Sequence, residues 1–315
     1  MDKFQVGENW IERIRRTAND HAIMAGKRIG IVGKGGSGKS TLTILLASEL
    51  RIRGYKVCIL DADSTNIGIH QALGIPNPPS SLIDYFGGMV FSGGSVTCPV
   101  DDPTPLLGAE ISLAQLPHEY MTRNPEGIIL LSAGKIGALG PGAGCDGPIN
   151  KIARDLRIRT EGTLPVTLVD FKAGFEDVAR GAITGLDLVI VVVDPTNAAI
   201  QMAIHMKAMV NQMKAGNPPA TEHLEDPELV KLAQSIFRQS KVRDVVAVLN
   251  KVRDEEMEQY LRRELQAAGV RVIGVINEDP SVTITWLRGT RLEGDDQRRE
   301  TERVVDALEE VEERT

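Results

Sequence analysis

The sequence predicts an α/β fold, a doubly wound and mostly parallel sheet with helices on both faces. Two observations lead to this prediction. Short apolar runs bounded by Gly or Asp alternate along the chain with longer segments whose apolar residues recur at helical spacing. The short runs are apolar throughout, which is typical of strands that helices cover on both faces. The alternation of strand and helix then favours parallel pairing of the strands.

Each apolar run is a predicted strand, and each periodic segment is a predicted helix. The predicted strands are 28–32, 57–60, 166–169, 188–193, 245–249 and 270–275. The predicted helices are 39–53, 197–214, 226–239, 254–268 and 299–313. Because the last helix is mostly charged, we expect it to be a solvated surface helix.

The composition argues against several classes of protein. The chain has 36 Lys and Arg against 43 Asp and Glu, a net charge of −7, and 4% aromatic residues. An acidic chain with few aromatic side chains is a poor candidate for nonspecific binding of nucleic acid or for base stacking. The sequence shows no apolar stretch of the roughly 20 residues that a membrane span needs, no apolar signal core, and only three scattered cysteines. We therefore expect a cytoplasmic protein with reduced thiols.

A glycine-rich loop follows the first strand and opens the first helix, which is the context that a P-loop requires. Backbone N–H groups of such a loop, together with the start of the helix, bind phosphate oxygens. We expect Lys39 to reach the β- and γ-phosphates and Ser40 to bind Mg²⁺. The alternative is a glycine-rich turn with a surface lysine. The predicted nucleotide-binding residues of the loop are Gly33, Lys34, Gly35, Gly36, Ser37, Gly38, Lys39, Ser40 and Thr41.

A second lysine, Lys34, stands near the beginning of this loop. With it, the chain resembles the deviant Walker A ATPases, the family of MinD, ParA, the nitrogenase iron protein and the CooC-type nickel-insertion ATPases of carbon monoxide dehydrogenase. The resemblance implies an ATP-closed homodimer in which Lys34 reaches the nucleotide of the other subunit. The alternative for Lys34 is a solvated lysine beside a turn.

The resemblance also predicts the domain organisation of the chain. It covers a predicted P-loop ATPase domain over residues 27–290, with irregular insertions rich in Pro, Gly and Ser at 76–110 and 133–148. Residues 1–26 are an expected N-terminal arm, and residues 291–315 contain the charged C-terminal helix. Long irregular insertions are usually functional or mobile.

Three carboxylates follow predicted strands. Asp61 and Asp63 come after the second strand, where ligands of parallel sheets bind. The resemblance assigns Asp63 to the attacking water on the first switch and Asp61 to the surroundings of Lys39 or the metal, and both are predicted Mg²⁺ residues; one of the two could instead cap a helix. Asp170 begins a run, DFKAG, that matches the second switch of the family. There Asp170 would contact Mg²⁺ through water, and Gly174 would let the backbone move toward the γ-phosphate.

The adenine site is expected on the loops after the later strands. Asn250 stands where the family uses an Asn side chain to read the adenine edge. The run 250–254 resembles the guanine signature but carries its Asp one position late, so we favour ATP over GTP. Residues 276–280 are expected against the base, and the binding residues among them are Asn277, Asp279 and Pro280.

A cysteine loop, GPGAGCDGP, precedes a short predicted helix. It resembles the loop that places a cluster-ligating cysteine at the dimer axis of the iron protein, and CooC-type proteins place a Cys-x-Cys pair near this point. Here position 147 is Gly, and residues 170–181 contain no cysteine. Two copies of Cys145 give two of the four thiolates that a [4Fe–4S] cluster needs. They could hold one soft ion, nickel or zinc, with help from Asp146 or another side chain; alternatively, Cys145 only fills a tight loop.

The other cysteines are less informative. Cys58 lies within a predicted strand and is expected in the core. Cys98 could reach the loop, but no spacing argument supports it, and His70 and His118 become candidates only if a metal is found.

The expected function is that of a Mg²⁺-dependent ATPase, a dimeric switch of the MinD/CooC type that assists metallocentre assembly. Its expected partners are a second copy of itself and a client metalloenzyme, without specific nucleic acid binding. The alternatives are a regulatory or partitioning switch without metal and an ATP-driven electron donor. The missing second cysteine disfavours the electron donor.

Overall fold

The structure, a computed structural model, describes residues 23–90, 93–135, 145–175, 180–217, 219–294 and 297–313. The strands in these ranges are β1 (Arg28–Gly33), β2 (Val57–Ala62), β3 (Glu110–Ser112), β4 (Thr122–Arg123), β5 (Ile129–Ser132), β6 (Arg157–Arg159), β7 (Val166–Phe171), β8 (Leu188–Val193), β9 (Asp244–Val252) and β10 (Arg271–Asn277). The α-helices are α1 (Lys39–Ile52), α2 (Ile69–Ala72), α3 (Leu82–Tyr85), α4 (Gly147–Asp155), α5 (Asn197–Lys214), α6 (Pro227–Arg238), α7 (Glu255–Ala267), α8 (Pro280–Arg288) and α9 (Arg298–Glu313).

Eight strands form one sheet in the order β10-β9-β8-β1-β7-β2-β5-β4, and β3 pairs with β6 in a separate two-stranded sheet. The neighbours in the large sheet are parallel except for β4, which is antiparallel to β5. The register places Asp170 of β7 beside Ile31 of β1 on one side and Asp61 of β2 on the other. This register brings the acidic ends of β2 and β7 next to the loop that follows β1.

Helices cover both faces of the sheet, as the apolar strands predict. One core contains buried residues of α1 and α9, and the other contains buried residues of α4, α5 and α7. Neighbouring residues of β1 divide between the two, because Ile31 packs in the first core and Val32 in the second. The doubly wound α/β prediction is confirmed.

The predicted exposure of the C-terminal helix is wrong. Val304, Val305 and Leu308 of α9 are fully buried against the sheet and α1. Gly274 of β10 allows this close approach, since a Cβ there would lie 2.3 Å from a methyl carbon of Val304. A narrow apolar stripe is enough to dock a helix whose other faces are charged. The number of charged residues in α9 therefore did not predict that one face of the helix is buried.

Two elements near the site escape the sequence prediction. Strand β5 has only four residues, and α8 follows β10 without a strong periodic pattern. The described part of the 76–110 insertion also contributes to the core, with Leu82, Met89 and Val96 buried. Most of the expected N-terminal arm, residues 1–22, lies outside the described residues. Among the residues that are described, no helix has the length and apolar character needed to span a membrane.

Candidate nucleotide site and cysteine loop

The predicted phosphate loop connects β1 to α1. Gly38, which caps α1, has a left-handed backbone with φ of +94°, a conformation that favours glycine. A Cβ at this position would also lie 2.1 Å from the Nδ2 atom of Asn250, so only glycine fits beneath that side chain. Lys39 begins the helix and is 6% exposed. Burial lowers the pKa of Lys39, while the charges of Asp170 and Asp63 oppose this shift.

Two side chains from the end of β9 fasten the loop. Asn250 donates from Nδ2 to the carbonyl oxygen of Ser37 at 2.7 Å, and Lys251 donates from Nζ to that of Gly36 at 2.7 Å. The Asn250 amide therefore supports the phosphate loop, a contact that sequence reasoning missed. Its contact with adenine stays a prediction.

The magnesium prediction rests on Ser40 and Asp170. Ser40 donates from Oγ to Asp170 Oδ2 at 2.6 Å, and Asn66, which sequence reasoning missed, donates from Nδ2 to Ser40 Oγ at 2.8 Å. Burial, together with the charge of Asp61, raises the pKa of Asp170 to about 7. Within the described ranges, Asp170 Oδ1 is buried and has no hydrogen-bond partner. A buried carboxylate oxygen without a donor, next to a hydroxyl, fits a hard cation such as Mg²⁺.

Asp61 forms an ion pair with Lys135, another residue that the sequence prediction missed. The Nζ atom of Lys135 lies 2.6 Å from Asp61 Oδ2 and donates to the carbonyl oxygen of Asp63 at 2.5 Å. Burial raises the pKa of Asp61 to about 6, although the charge of Lys135 opposes this shift. Lys135 follows β5 inside the predicted 133–148 insertion, so the start of that insertion touches the nucleotide site.

Asp63 has a local role in this structure. Its Oδ1 atom accepts hydrogen bonds from the backbone N and Oγ1 of Thr65 at 2.9 and 2.7 Å, and from the backbone N of Asn66 at 3.2 Å. The carboxylate thus shapes the turn that follows β2. Its assignment to the attacking water stays a prediction.

Lys34 is paired within its own chain. Its Nζ atom lies 3.2 Å from Oδ2 of Asp194, at the end of β8, and Asp194 also accepts from Thr196 Oγ1 at 2.7 Å. The lysine side chain remains 36% exposed. Lys34 is therefore held beside the phosphate loop and is accessible, and its action on a second subunit stays a prediction.

A cleft opens beside the start of α1, at the predicted adenine site. Its walls come from the phosphate loop, the end of β9 and the segment after β10, and they include Gly38, Thr41, Asn250, Ile276, Asn277, Asp279, Val282 and Thr283. Asp279 caps α8 by accepting from the backbone N of Ser281 at 2.7 Å. Pro280 is the first residue of α8 and is not part of these walls.

Trp286 of α8 links α1 to the segment after β2, which is the predicted first switch. Its Nε1 donates to Thr41 Oγ1 at 2.9 Å, and a Cβ built on Gly68 would lie 3.2 Å from its ring. The indole therefore contacts both the first helix and the segment after Asp63. This position makes its fluorescence a suitable probe of the nucleotide site.

The cysteine loop reaches the second switch through its last residues. Residues 136–144, which include the glycines immediately before Cys145, lie outside the described part of the chain. Cys145 is half-buried, and Asp146 Oδ2 lies 2.5 Å from the Nζ atom of Lys172, just beyond Asp170. In the second switch, Gly174 has φ of +118° and donates from its backbone N to the carbonyl oxygen of Gly33 at 3.4 Å.

No cluster of three or more His, Cys, Asp or Glu side chains in the described ranges could hold a metal ion by itself. His70 and His118 thus join no such cluster within one protomer. Any soft-metal site at Cys145 needs ligands from elsewhere.

The comparison with protein families decides the classification. A family model described as the CobQ/CobB/MinD/ParA nucleotide binding domain matches residues 30–292. The chain belongs to this family. Over 181 residues it is 35% identical to an uncharacterized ATP-binding protein of Methanocaldococcus jannaschii, a match that covers 56% of this chain and 70% of the relative. Over 188 residues it is 28% identical to the carbon monoxide dehydrogenase accessory protein CooC of Rhodospirillum rubrum, with 59% of this chain and 70% of CooC covered.

Solved structures of MinD share the fold. A chain of the MinC:MinD cell division complex of Aquifex aeolicus matches with a TM-score of 0.55 at 18% identity, covering 90% of this chain and 95% of the other. MinD of Pyrococcus horikoshii, solved with Mg-ADP, matches with a TM-score of 0.54 at 17% identity, covering 91% and 98%. The chain is a P-loop ATPase of the MinD/ParA group, close to CooC.

Proposed function

We propose that this ATPase works as an ATP-closed homodimeric switch that assists metallocentre assembly in a client metalloenzyme. One observation carries the proposal: the ion pair between Lys172 and Asp146 ties the cysteine loop to the strand that bears Asp170. A change at the magnesium site can therefore reach Cys145 through a single contact. The similarity to CooC, an accessory protein of carbon monoxide dehydrogenase, supports a role in assisting a client enzyme.

The hydrolytic site uses residues of this chain in separate roles. Lys39 and the backbone N–H groups of the phosphate loop bind the β- and γ-phosphates, and Asp63 leaves its turn to orient the attacking water. Ser40, Asp170 and, in the outer shell, Asp61 would hold Mg²⁺. When bound, Mg²⁺ neutralises charge on the phosphate oxygens.

Dimer closure begins with Lys34. In one protomer this lysine is paired with Asp194, and closure exchanges that carboxylate for the phosphates of ATP bound to the other protomer. ATP favours the exchange because its phosphates carry more negative charge than the single carboxylate of Asp194. Lys34 thus senses ATP in the second subunit.

The cargo in this proposal is a soft metal ion, nickel or zinc, held near the two-fold axis by Cys145 of both protomers. A regulatory or partitioning switch without metal is the second candidate. It is favoured by the finding that no three potential ligands converge in the described part of one protomer. An electron donor is disfavoured because residues 170–181 contain no cysteine. A cytoplasmic location remains part of the proposal.

Dimerisation tests the switch. With a nonhydrolysable ATP analogue, the wild-type protein is expected to double its mass in light scattering. Lys34→Ala should bind the analogue as a monomer, while Lys241→Ala, an exposed lysine before β9, should behave as wild type. An undiminished dimer in Lys34→Ala, or no dimer in the wild type, contradicts the proposal.

A further inference from the structure

A cavity opens at the amino edge of the large sheet, where β2 and β5 begin. It has a volume of about 510 Å³, which is within the range of small-molecule sites. Lys56 at this edge precedes β2, whereas Asp61 of the nucleotide site lies near the end of the same strand, roughly 16 Å away. ATP at the phosphate loop therefore does not occupy the cavity. The lining residues are Arg51, Lys56, Leu113, Ala114, Arg123, Gly127, Ile129, Thr160 and Glu161.

Two of the basic side chains lie on one face of the sheet, next to Ile129. Arg123 of β4 is directly opposite Ile129 of β5, and Ile129 is paired on its other side with Cys58 of β2. Residues that face each other across strands share a face of the sheet. Lys56 precedes Cys58 by two residues and extends the ladder, since its carbonyl oxygen accepts from the backbone N of Val166, so it lies on the same face. The register therefore gathers Lys56 and Arg123 at one edge.

Arg51 reaches the same edge from α1, which packs on the other face of the sheet. It donates from Nε to the carbonyl oxygen of Glu126 at 3.0 Å and from Nη1 to that of Tyr55 at 2.6 Å. These two bonds fix the plane of the guanidinium group. Its Nη2 atom lies 3.3 Å from the place where a Cβ on Gly127 would stand, and it donates to no acceptor among the described residues. The group is therefore held at the cavity with one nitrogen left for a ligand.

The positive charge of this cavity is not neutralised by the protein. Lys56 donates from Nζ to the carbonyl oxygen of Glu161 at 2.7 Å, and Arg123 contacts the sulfur of Met121 at 3.9 Å. Like Arg51, neither cation forms an ion pair with a carboxylate in the part of the chain that the structure describes. Three cations therefore line the cavity together with one carboxylate, that of Glu161. The excess of two positive charges matches a dianion.

We propose that this cavity binds a small organic phosphate monoester. Such a group carries nearly two negative charges at neutral pH and three acceptor oxygens, which suits cations that come from α1, β4 and the start of β2. Guanidinium groups bind phosphate oxygens through paired N–H donors. The apolar walls, Leu113, Ala114 and Ile129, would contact the organic part of the ligand. The site uses neither Cys145 nor a second protomer, so the inference goes beyond the proposed function and does not depend on it.

Phenyl phosphate is the probe, and calorimetric titration of the full chain measures its binding. Mg²⁺ and a nonhydrolysable ATP analogue saturate the phosphate loop first, so that the probe cannot bind there. Wild type should bind one phenyl phosphate per chain. Benzenesulfonate has a similar shape but a single charge and should bind about tenfold more weakly or worse, and inorganic phosphate, which lacks the apolar ring, should also bind more weakly. Equal affinity for phenyl phosphate and either control, or no saturable binding of phenyl phosphate, would overturn the proposal.

Substitutions of exposed arginines locate the binding. Arg123→Gln removes a guanidinium group from the cavity and should weaken phenyl phosphate binding by about tenfold or more. Arg123→Lys keeps the charge but loses the paired donors, so it should recover only part of the affinity. Arg238→Gln, at the exposed end of α6, removes the same charge elsewhere and should match wild type. Wild-type affinity in Arg123→Gln, or an equal loss in Arg238→Gln, would overturn the site.

The nucleotide site provides the control for folding and separates this inference from the proposed function. Each variant must bind the ATP analogue with the Trp286 fluorescence change of wild type, read in a Trp10→Phe background that leaves Trp286 as the only tryptophan. Phenyl phosphate binding by a protein that forms no ATP-dependent dimer supports the cavity site and contradicts the dimeric switch. An ATP-dependent dimer that binds no phenyl phosphate overturns the cavity site and leaves the switch intact.

Discussion

The phosphate loop and the cysteine end of α4 are built in different ways. The loop is one continuous segment between β1 and α1, and its glycines and lysines determine its shape over a few residues. The cysteine end is assembled from three segments that are distant in the sequence: the stretch around Cys98, residues 145–147, and Lys172 of the second switch. A continuous motif can be recognised in a sequence, whereas an assembled site becomes visible only when the chain is folded.

The nucleotide site and the cysteine end also differ in how much of a binding site one protomer provides. One protomer contains a cleft at the predicted adenine site, a phosphate loop and a buried carboxylate next to a serine hydroxyl. At the cysteine end, no three potential metal ligands converge within the described residues. A single protomer is therefore expected to bind nucleotide, whereas the soft-metal site of the proposed function needs Cys145 from two protomers.

The largest expected effect comes from a substitution in the phosphate loop that leaves the cysteine end unchanged. Lys39→Ala removes the buried positive charge from the phosphates and should lower the turnover number by about 100-fold to 1,000-fold, with weaker nucleotide binding. Phosphate release measures it. Lys231→Ala, on the exposed face of α6, is the control and should hydrolyse ATP at the wild-type rate. Unchanged turnover in Lys39→Ala would refute the P-loop assignment.

A second substitution at the nucleotide site should separate ATP binding from ATP hydrolysis. Asp63→Asn removes the group assigned to the attacking water and should slow hydrolysis by about 100-fold or more, while ATP still binds and the dimer persists. Single-turnover hydrolysis and light scattering give the two readings. Asp84→Asn in α3 serves as the control. Hydrolysis at the wild-type rate in Asp63→Asn would shift the role to Asp61 or Asp170.

The ion pair between the cysteine end and the second switch can be broken from either partner. Lys172→Gln and Asp146→Asn each break the ion pair, and we expect the ATP analogue to lose most of its effect on the alkylation rate of Cys145, a loss of about fivefold or more. Mass spectrometry of the labelled peptide gives the rate. Lys207→Gln, which breaks an ion pair with Asp244, is the matched control. If both variants keep the full nucleotide effect, the signal travels by another route.

The smallest expected effect is a pH dependence of the protein's stability that arises from two carboxylates of the nucleotide site. The folded-state pKa values of Asp61 and Asp170, about 6 and about 7, lie above the ordinary carboxyl value. The folded protein therefore binds more protons than the unfolded chain between about pH 4 and pH 7. Stability without magnesium should fall as pH rises through this window, and Mg-ADP should oppose the fall because the metal binds the charged carboxylate.

Thermal unfolding from pH 5 to pH 8 checks this prediction. Asp170→Asn should flatten the profile of the magnesium-free protein. A midpoint that rises with pH in the magnesium-free wild type would contradict the assigned protonation of these carboxylates.

Several features of the molecule could be predicted from the sequence because their causes are local. Runs of apolar residues define the buried strands, and helical periodicity defines α1, α5 and α7 within one or two residues of their observed ends. The phosphate loop needs glycine where its backbone is left-handed, as at Gly38, so the loop can be recognised from the glycines in the sequence. The parallel, doubly wound sheet follows from the order of these elements.

Other features depend on contacts between distant segments, which a single sequence does not display. The burial of α9 depends on a close approach at Gly274, and Asn250 bonds to the phosphate loop because β9 ends beside it. The sequence alone predicted the phosphate loop between β1 and α1 and the cysteine loop before α4. Only the tertiary structure placed Lys135 on Asp61 and Cys98 against Gly147, because packing of the sheet and helices, not local propensity, decides which remote side chains meet.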